Sequence, residues 1–283
     1  MIYGAITNSW RQHLEEGDLL DLIQEAEKRG AGHVELRQTC LGNCESGEGK
    51  EWRPNLEGLQ RVVDSFPNLS FDLAMAWPCL SETADPLGDQ FQAALAGAKI
   101  VGRGYPHLRL VDPTPFDSAW EQVADLPAEA VSISELAREA SKQGVTLSME
   151  NSGQPLRSMA LLVRQARSLL SQEEGNYLGL CPDPTNQLRR FPDSDPLDEL
   201  EALPLDMIKI VHFKQARDGK PYRSVDTGDI DCGAMLRGLE NKGYVGAAIM
   251  EIPPDPDVFD NLSESFDFLY RACLLYTSPS PRD

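Results

Sequence analysis

The stretch SISELAREASKQGVTLSMENSG, residues 132–153, contains one complete helix-to-strand unit. Residues 132–144 have the amphipathic period of a helix that packs one face on a core. VTLSM, residues 145–149, is a short apolar run typical of buried parallel strands, and Glu150 follows it at once. The stretch therefore predicts a helix, then a buried strand, then a carboxylate at the carboxyl end of that strand.

The same alternation of short apolar runs and amphipathic segments occurs eight times along the chain. The predicted strands are residues 2–6, 32–36, 69–74, 107–111, 145–149, 177–181, 207–211 and 247–250. Predicted helices include residues 19–30, 56–66, 132–144 and 159–170. The seventh helix is predicted to begin after Asp229 or Asp231 as its N-cap and to close at Gly243.

This alternation implies right-handed crossovers and an all-parallel sheet. Eight units in a chain of 283 residues favour a single α/β domain, a (β/α)8 TIM barrel with an outer ring of helices, over an open sheet. An open sheet that binds a dinucleotide should carry GxGxxG after its first strand, where this chain has ITNSWRQ (6–12). We also find no Walker loop and no GxSxG elbow in the sequence.

The last eleven residues, CLLYTSPSPRD (273–283), end a helical pattern with a Ser/Pro tail. This tail resembles the translation of a transposase-type sequencing-library adapter. We therefore expect one barrel domain over residues 1–272 and no domain in residues 273–283, with the natural sequence departing after about Ala272.

Composition and charge narrow the choice of partners and compartment. A formal net charge of −19 would repel phosphate backbones, so we expect no nucleic-acid partner. No apolar run approaches the ~20 residues that cross a bilayer, and the start lacks a secretory pattern, so we expect a cytoplasmic protein without a membrane partner. The six cysteines are scattered, which predicts reduced thiols. The sequence leaves open whether the chain forms a homo-oligomer.

Each of the last four predicted strands ends in a potential metal ligand. Glu150 follows VTLSM, Asp183 follows YLGLCP, His212 follows IKIV and Glu251 follows AAIM. The carboxyl ends of barrel strands form one face, where active sites lie, and adjacent strands are ~4.8 Å apart. We therefore expect these four side chains to converge on one divalent cation. Three carboxylates and one imidazole form a hard donor set that favours Mn²⁺ or Mg²⁺.

Several motifs together resemble the xylose-isomerase-like barrel superfamily, and within it the sugar phosphate isomerase/epimerase branch. They are GHVELR (32–37), LSMENSG (147–153), LCPDPTN (180–186), VHFKQ (211–215), TGDID (227–231) and GYVGAAIMEI (243–252). The resemblance implies that Glu150, Asp183, His212 and Glu251 bind a metal, commonly Mn²⁺, Mg²⁺ or Co²⁺. It also implies that Glu150 and Glu251 are the catalytic acid/base pair.

Two positions depart from the ketose 3-epimerases of this branch. Those enzymes have a substrate-contacting His where this chain has Asn186, and an Arg after the metal-binding His that grips the substrate. Here the segment after His212 reads FKQARDG, in which Arg217 is only a loose candidate. These departures argue against a ketose 3-epimerase in particular.

The predicted function is a metal-dependent sugar isomerase or epimerase that moves a proton next to a carbonyl through a metal-stabilised enediolate. Its substrate is a small sugar or polyol-derived ketone. Three alternatives stay open: a dehydratase acting on an inosose-like ketone, an apurinic endonuclease-like hydrolase, and a barrel that binds a sugar without turnover. The hydrolase would need many histidines and a basic face, whereas this chain has four His.

Other polar or aromatic residues at strand ends are candidates for substrate binding. They are Glu35, Arg37, Trp77, Asp112, Asn186 and Lys214. His33 and His107 begin predicted strands and therefore lie at the barrel face opposite to catalysis, where we expect structural roles.

Overall fold

The computed structural model describes residues 1–116 and 118–277. Eight parallel strands form its core. They are β1 (Ile2–Ile6), β2 (His33–Arg37), β3 (Ser70–Ala76), β4 (His107–Val111), β5 (Thr146–Glu150), β6 (Leu178–Cys181), β7 (Val211–Phe213) and β8 (Ala247–Met250). Their order in the sheet is β6-β5-β4-β3-β2-β1-β8-β7. A parallel bridge between Leu180 and Ile208 joins the two ends, so the sheet closes into the predicted TIM barrel.

Helices surround this barrel. In chain order they are α1 (Arg11–Leu14), α2 (Leu19–Lys28), α3 (Leu56–Ser65), α4 (Asp89–Val101), α5 (Ser132–Lys142), α6 (Leu156–Ser168), α7 (Gln172–Gly175), α8 (Pro184–Arg190), α9 (Pro196–Ala202), α10 (Cys232–Asn241) and α11 (Val258–Thr277). Two short antiparallel ladders, Glu45–Ser46 with Arg53–Pro54 and Ala216–Arg217 with Lys220–Pro221, decorate the loops. No helix in the described part of the chain has the length and apolar character of a membrane span.

Helix ends follow the capping chemistry of the sequence. Gly30 and Gly243 adopt positive φ angles of 108° and 80°, the left-handed conformation that glycine tolerates best after a helix. Of the two predicted N-caps for α10, Asp231 is the cap, because its carboxylate accepts the Ala234 N–H at 2.8 Å. Asp229 instead accepts backbone N–H groups in the turn of the neighbouring ladder.

Two predicted elements are shifted. The strand predicted at residues 207–211 begins only at Val211, because Leu205–Met207 forms a 3₁₀ turn after Pro204. The helix predicted at residues 159–170 begins at Leu156, immediately after Pro155, whose fixed φ suits a helix start. Helix α11 continues to Thr277, past the boundary predicted at residue 272, and residues 278–283 of the predicted tail lie outside the described residues. The domain boundary stays a prediction.

Side chains that point into the barrel form layers. Near the amino ends of the strands, Asp72 pairs with His33 at 2.8 Å and with His107 at 2.7 Å. Higher up, Ile6, Cys181, Ile210 and Ile249 form a small apolar cluster. This arrangement leaves the carboxyl ends of the strands as the level at which polar groups from β5 to β8 meet.

Candidate metal centre

Four side chains meet at the carboxyl ends of the last four strands. Glu150 ends β5, Asp183 caps α8 just after β6, His212 lies in β7, and Glu251 follows β8. Each offers one ligand atom, and these atoms all lie within 4.8 Å of one another. Glu150, Asp183 and His212 are buried, while the side chain of Glu251 keeps 17% of its surface exposed. The structure thus brings together the four residues that the sequence singles out.

Two buried residues inside the barrel, Arg109 and Glu35, hold Glu150 and His212 in place through ion pairs and hydrogen bonds. Arg109, on β4, binds both oxygens of Glu35 at 2.8 and 2.9 Å and reaches Glu150 Oε2 at 2.5 Å. The second oxygen of Glu35 also lies 3.0 Å from His212 Nε2. Glu150 is therefore left with Oε1, and His212 with Nδ1, to face the cluster.

The other two candidate ligands are held in the same way. Asp183 Oδ1 accepts the backbone N–H of Asn186 at 2.8 Å, the N-cap bond of α8. Glu251 Oε1 accepts the side-chain N–H of Asn8 at 2.9 Å. Glu251 Oε2 lies 2.8 Å from His212 Nδ1. In each of the four residues, one polar atom is held by the protein and the other points into the cluster.

Lys214, two residues after His212, brings a positive charge to the cluster. Its ammonium lies 2.9 Å from Asp183 Oδ2 and 3.0 Å from Glu251 Oε2. It also donates to Asn186 Oδ1 at 3.2 Å. Burial lowers the pKa of Lys214, but Asp183 and Glu251 outweigh burial and hold it above its ordinary value, so the ammonium stays charged.

The surrounding charges keep two of the three carboxyl groups ionised. Burial raises the pKa of Glu150, but Arg109 and His212 outweigh it and hold that pKa below its usual range. Burial raises the pKa of Glu251 too, and there Lys214 and His212 bring it well below the usual range.

Asp183 and His212 are shifted the other way. For Asp183, burial raises the pKa, and Lys214 offsets this only in part. For His212, burial lowers the pKa, but Cys181, Glu35 and Glu150 outweigh it and raise the pKa well above its usual range.

The residues present fit a divalent cation. Asp183 Oδ2 is buried and has no aligned hydrogen bond, although Lys214 stands at ion-pair distance. A buried carboxylate oxygen without such a bond is costly unless a cation satisfies it. Three oxygens and one imidazole nitrogen form the hard donor set that suits Mn²⁺, Mg²⁺ or Co²⁺. Glu35 completes a carboxylate–histidine pair of the kind that orients metal-binding imidazoles.

The predicted substrate-binding residues fall into two groups. Asn186 and Lys214 border the cluster, where Asn186 donates to Glu150 Oε1 at 3.2 Å. Arg37 is half-buried near the same carboxylates; burial lowers its pKa, with Arg109 adding to the effect. Substrate binding by these three side chains stays a prediction.

The remaining candidates have other partners. Both oxygens of Glu35 are engaged by Arg109 and His212 in a fully buried position, which leaves none for a substrate. The carboxylate of Asp112 accepts the backbone N–H groups of Leu80 and Ser81 and so anchors a loop.

Trp77 and Arg217 are engaged outside the cluster. Trp77 stacks on Phe91, with ring centroids 5.4 Å apart. Arg217 lies over the ring of Tyr222 and pairs with Asp226, so it does not reach the cluster.

Sequence reasoning missed two residues of this centre, Asn8 and Arg109. Arg109 is the charged member of the apolar run HLRLV, and alternation along β4 places it inside the barrel beside the other inward residues. Asn8 lies two residues after the end of β1, and this position near a strand end could have identified it as a candidate site residue.

Comparisons with known proteins agree with this architecture. The family model described as xylose isomerase-like TIM barrel matches residues 82–272. Among curated proteins, no sequence matches significantly.

Three similar solved structures have the same fold. Their sequence identities to this chain, 15–18%, support a shared fold and nothing more. The IOLI protein with a bound zinc atom is 18% identical with a TM-score of 0.67, over 97% of both chains. An L-ribulose 3-epimerase is 15% identical with a TM-score of 0.67, over 99% of both chains. The probable 3-DHS dehydratase AsbF from Bacillus anthracis is 15% identical with a TM-score of 0.69, over 95% of this chain and 99% of that one.

Proposed function

Because the chain belongs to the xylose isomerase-like TIM barrel family, we propose that it is a divalent-metal-dependent isomerase or epimerase of sugars or polyol-derived ketones. One observation carries this proposal: Glu150, Asp183, His212 and Glu251 place four ligand atoms within 4.8 Å of one another at the carboxyl face of the barrel. Active sites of this fold lie at that face.

In this proposal, the four residues hold one divalent cation, with Mn²⁺ preferred and Mg²⁺ or Co²⁺ as alternatives. Such a cation, when bound, polarises a carbonyl group and stabilises the negative charge that develops beside it. The identity of Mn²⁺ is supported by the oxygen-rich donor set.

Glu150 and Glu251 are the proposed acid/base pair. They come from β5 and β8, the two ends of the four-strand arc that supplies the cluster. Surrounding charges keep both carboxylates ionised, so either can accept a proton from a carbon of the substrate. If one carboxylate takes the proton and the other, after taking up a proton from solvent, delivers that proton to the opposite face of the carbon, the outcome is epimerisation; the first carboxyl group then releases its proton to solvent. Return to the neighbouring carbon gives isomerisation.

Dehydration is the second candidate, and Lys214 is the observation that favours it. Its ammonium lies 3.0 Å from Glu251 Oε2 and can donate a hydrogen bond to a hydroxyl group on the adjacent carbon, while the proton that Glu251 has taken passes to that hydroxyl group, which leaves as water. A probable dehydratase is among the proteins that share this fold. For an apurinic endonuclease, the only cluster of metal-ligating side chains in the described residues contains a single histidine, which does not suit several zinc ions.

The proposed substrate class, location and domain bounds rest on the sequence alone. The substrate is a small unphosphorylated molecule, since the segment DTGDID (226–231) offers acids where barrels often bind phosphate. We also propose a cytoplasmic location and a barrel domain over residues 1–272.

Deuterium exchange tests the proposed reaction. Mn²⁺-loaded protein is incubated in D₂O with a panel of ketoses, aldoses and inosose-type ketones, and NMR locates any carbon that gains deuterium. A positive compound identifies the substrate class and the reacting carbon, and loss of a hydroxyl group instead identifies dehydration.

Variants then test the acid/base pair. Glu150→Gln and Glu251→Gln should each lower the exchange rate at least a hundredfold, the usual contribution of a general acid or base, with the fold retained by circular dichroism. Glu57→Gln, on the exposed face of α3, is the matched control and should exchange like the wild type. Wild-type exchange in either site variant would remove the assignment.

A further inference from the structure

A cavity of about 620 Å³ lies at the amino ends of the barrel strands, on the face opposite to the candidate metal centre. Its lining includes Ile2, Asp72, Arg103, Tyr105, His107 and Lys209, and we call it the amino-terminal cavity. Ligand sites in proteins commonly have volumes of about 300–1,000 Å³, so a small organic molecule fits there. The cavity shares no residue with the candidate metal centre.

The charges around the amino-terminal cavity differ from those of the chain as a whole. The chain has 45 acidic and 26 basic residues, whereas one acid, Asp72, and two basic residues, Arg103 and Lys209, line the cavity. Asp72 is already held by the two imidazoles described above. Arg103 pairs with Asp64 at 3.5 Å. Lys209 is therefore the charge in this lining that could receive a ligand.

The ammonium group of Lys209 is open to such a ligand. Its Nζ atom forms no hydrogen bond and no ion pair with any residue that the structure describes, and it is not among the buried side-chain atoms without a partner. The atom therefore has accessible surface, and Lys209 lines the cavity. Burial and Arg167 lower the pKa of Lys209, and Asp206 offsets them only in part. Asp206 itself pairs with Arg167 at 2.7 Å, so the protein leaves the Lys209 charge largely uncompensated.

Gly179, on β6, positions this lysine. A Cβ atom at Gly179 would lie 2.6 Å from Lys209 Cγ and 2.8 Å from Lys209 Cε, so the aliphatic stem passes directly over the glycine. Glycine inside a strand often marks such a close approach. Because the stem is already packed along its length, the lysine loses little rotamer entropy when its ammonium binds an anion.

The amino-terminal cavity also has exposed apolar walls. The residue surface is 43% exposed for Ile2 and 56% exposed for Tyr105, both large hydrophobic side chains. The ring of Tyr105 lies nearly parallel to that of His107, with an interplanar angle of 20° and centroids 6.4 Å apart. A flat aromatic ligand can stack on a ring of this kind. A molecule with one negative group and an aromatic body would therefore match both the unpaired cation and the exposed ring.

We propose that the amino-terminal cavity is a second ligand site, which takes a small aromatic carboxylate whose negative group pairs with Lys209 and whose ring covers Tyr105. This site is separate from the reaction proposed at the opposite face of the barrel. A phosphate group carries about −1.5 to −2 charges at pH 7, more than one unpaired ammonium neutralises, so a carboxylate suits the site better.

Calorimetric titration of Mn²⁺-loaded protein with benzoate tests the site, and benzamide is the matched neutral ligand. The wild type should bind benzoate at least tenfold more tightly than benzamide or inorganic phosphate, the usual effect of a hydrogen bond to a charged group. Lys209→Met keeps an unbranched stem over Gly179 and removes the charge, so benzoate should bind it no better than benzamide. Lys50→Met makes the same change at a side chain that is 85% exposed outside the cavity, and it should behave like the wild type.

A second variant tests the site with Lys209 intact. Tyr105→Ala should weaken benzoate and benzamide alike, by about three- to tenfold, because it removes the ring on which both stack. Circular dichroism checks that each variant is folded, and the comparison of ligands on the wild type stands even if Lys209→Met is not.

Three results would overturn the proposal. They are equal affinity of the wild type for benzoate and benzamide, equal affinity for benzoate and phosphate, and benzoate binding that survives in Lys209→Met but is lost in Asp183→Asn. The last result would place benzoate on the metal ion. Each of them leaves the proposed function intact, because deuterium exchange at the opposite face does not depend on this cavity.

Discussion

Arg109 is fully buried between two carboxylates inside the barrel, an arrangement that a core tolerates only when every charge is paired. Its guanidinium donates two hydrogen bonds to Glu35 and one to Glu150. Glu35 in turn faces His212 Nε2. The chain of contacts thus connects Glu150 and His212, two of the four candidate ligands, through two residues outside that set.

Glu35→Gln tests this connection. The substitution removes the negative charge that faces His212 and Arg109, so the imidazole should lose its fixed orientation. We expect Mn²⁺ affinity to fall ten- to a hundredfold, the usual effect of losing such an outer partner, as measured by calorimetric titration.

Asp112→Asn is the matched control for Glu35→Gln. Asp112 is an equally buried carboxylate that anchors a loop through Leu80 and Ser81. Its substitution should lower stability while leaving Mn²⁺ affinity unchanged. Equal metal affinity in Glu35→Gln and the wild type would show that His212 needs no support from Glu35.

At the level of single residues, the sequence indicates which side chains meet but not what holds them. Glu150 ends a strand, Asp183 and Glu251 each follow one, and His212 lies within β7. A barrel brings positions at the carboxyl ends of its strands together whatever lies between them in the sequence. The pairing of Arg109 with Glu35 depends on depth in the barrel and on side-chain reach. Sequence spacing carries neither quantity, and so Glu35 was expected to contact substrate.

Among the elements, strands bounded by clear turn residues were predicted best. The bounds of β1, β4 and β8 agree with the prediction at both ends. The predicted start of β7 is four residues too early and its predicted end two residues too early, because the apolar residues of the preceding 3₁₀ turn continue its apolar run. Met207 and Ile208 are buried as strand residues would be, so hydrophobicity alone does not distinguish the two structures.

Four strands are also connected near their amino ends by a buried network of polar side chains. Asp72 on β3 bonds His33 on β2 and His107 on β4, and His107 reaches Ser148 on β5 at 2.9 Å. Burial raises the pKa of Asp72, but the bonds from His107 and His33 outweigh it and hold that pKa well below its usual value. The carboxylate therefore stabilises the fold in its ionised form.

Asp72→Asn should lower the free energy of unfolding by roughly 3 kcal/mol at pH 7, since it removes a buried charge-assisted pair. A depressed folded-state pKa gives stability that is complete above the unfolded value of about 4 and is lost as the pH falls below it. The gap between wild type and Asp72→Asn should therefore narrow by about 1 kcal/mol between pH 7 and pH 3. Urea unfolding at both pH values measures this, and a constant gap would contradict it.

For the whole molecule, the candidate metal centre coincides with the closure of the barrel. Its four side chains come from β5, from β7 and from the segments that follow β6 and β8. Backbone hydrogen bonds from Lys209 N–H to Leu180 O at 2.9 Å and from His212 N–H to Pro182 O at 3.1 Å cross the seam between β6 and β7. A cation bound to Asp183 and His212 would span that seam. The prediction of eight strand-helix units implied this closure, but it did not include the shortness of β7.

Metal binding should therefore stabilise the entire barrel. A ligand at a hundredfold excess over its dissociation constant adds about 2.7 kcal/mol to the free energy of unfolding, provided that it does not bind the unfolded chain. For a domain of this size, that corresponds to a rise in Tm of about 5 °C. Differential scanning calorimetry of EDTA-treated protein, before and after addition of Mn²⁺, measures the rise.

Asp183→Asn separates binding at this centre from a general effect of cations on a chain with a net charge of −19. Diffuse counterions would screen the repulsion between surface acids in the variant and in the wild type alike. A cation held at the seam requires Asp183, whose Oδ2 has no other aligned partner. The wild type should therefore gain several degrees more than Asp183→Asn; equal gains would mean that Mn²⁺ acts on the surface, and the proposed centre would lose its support.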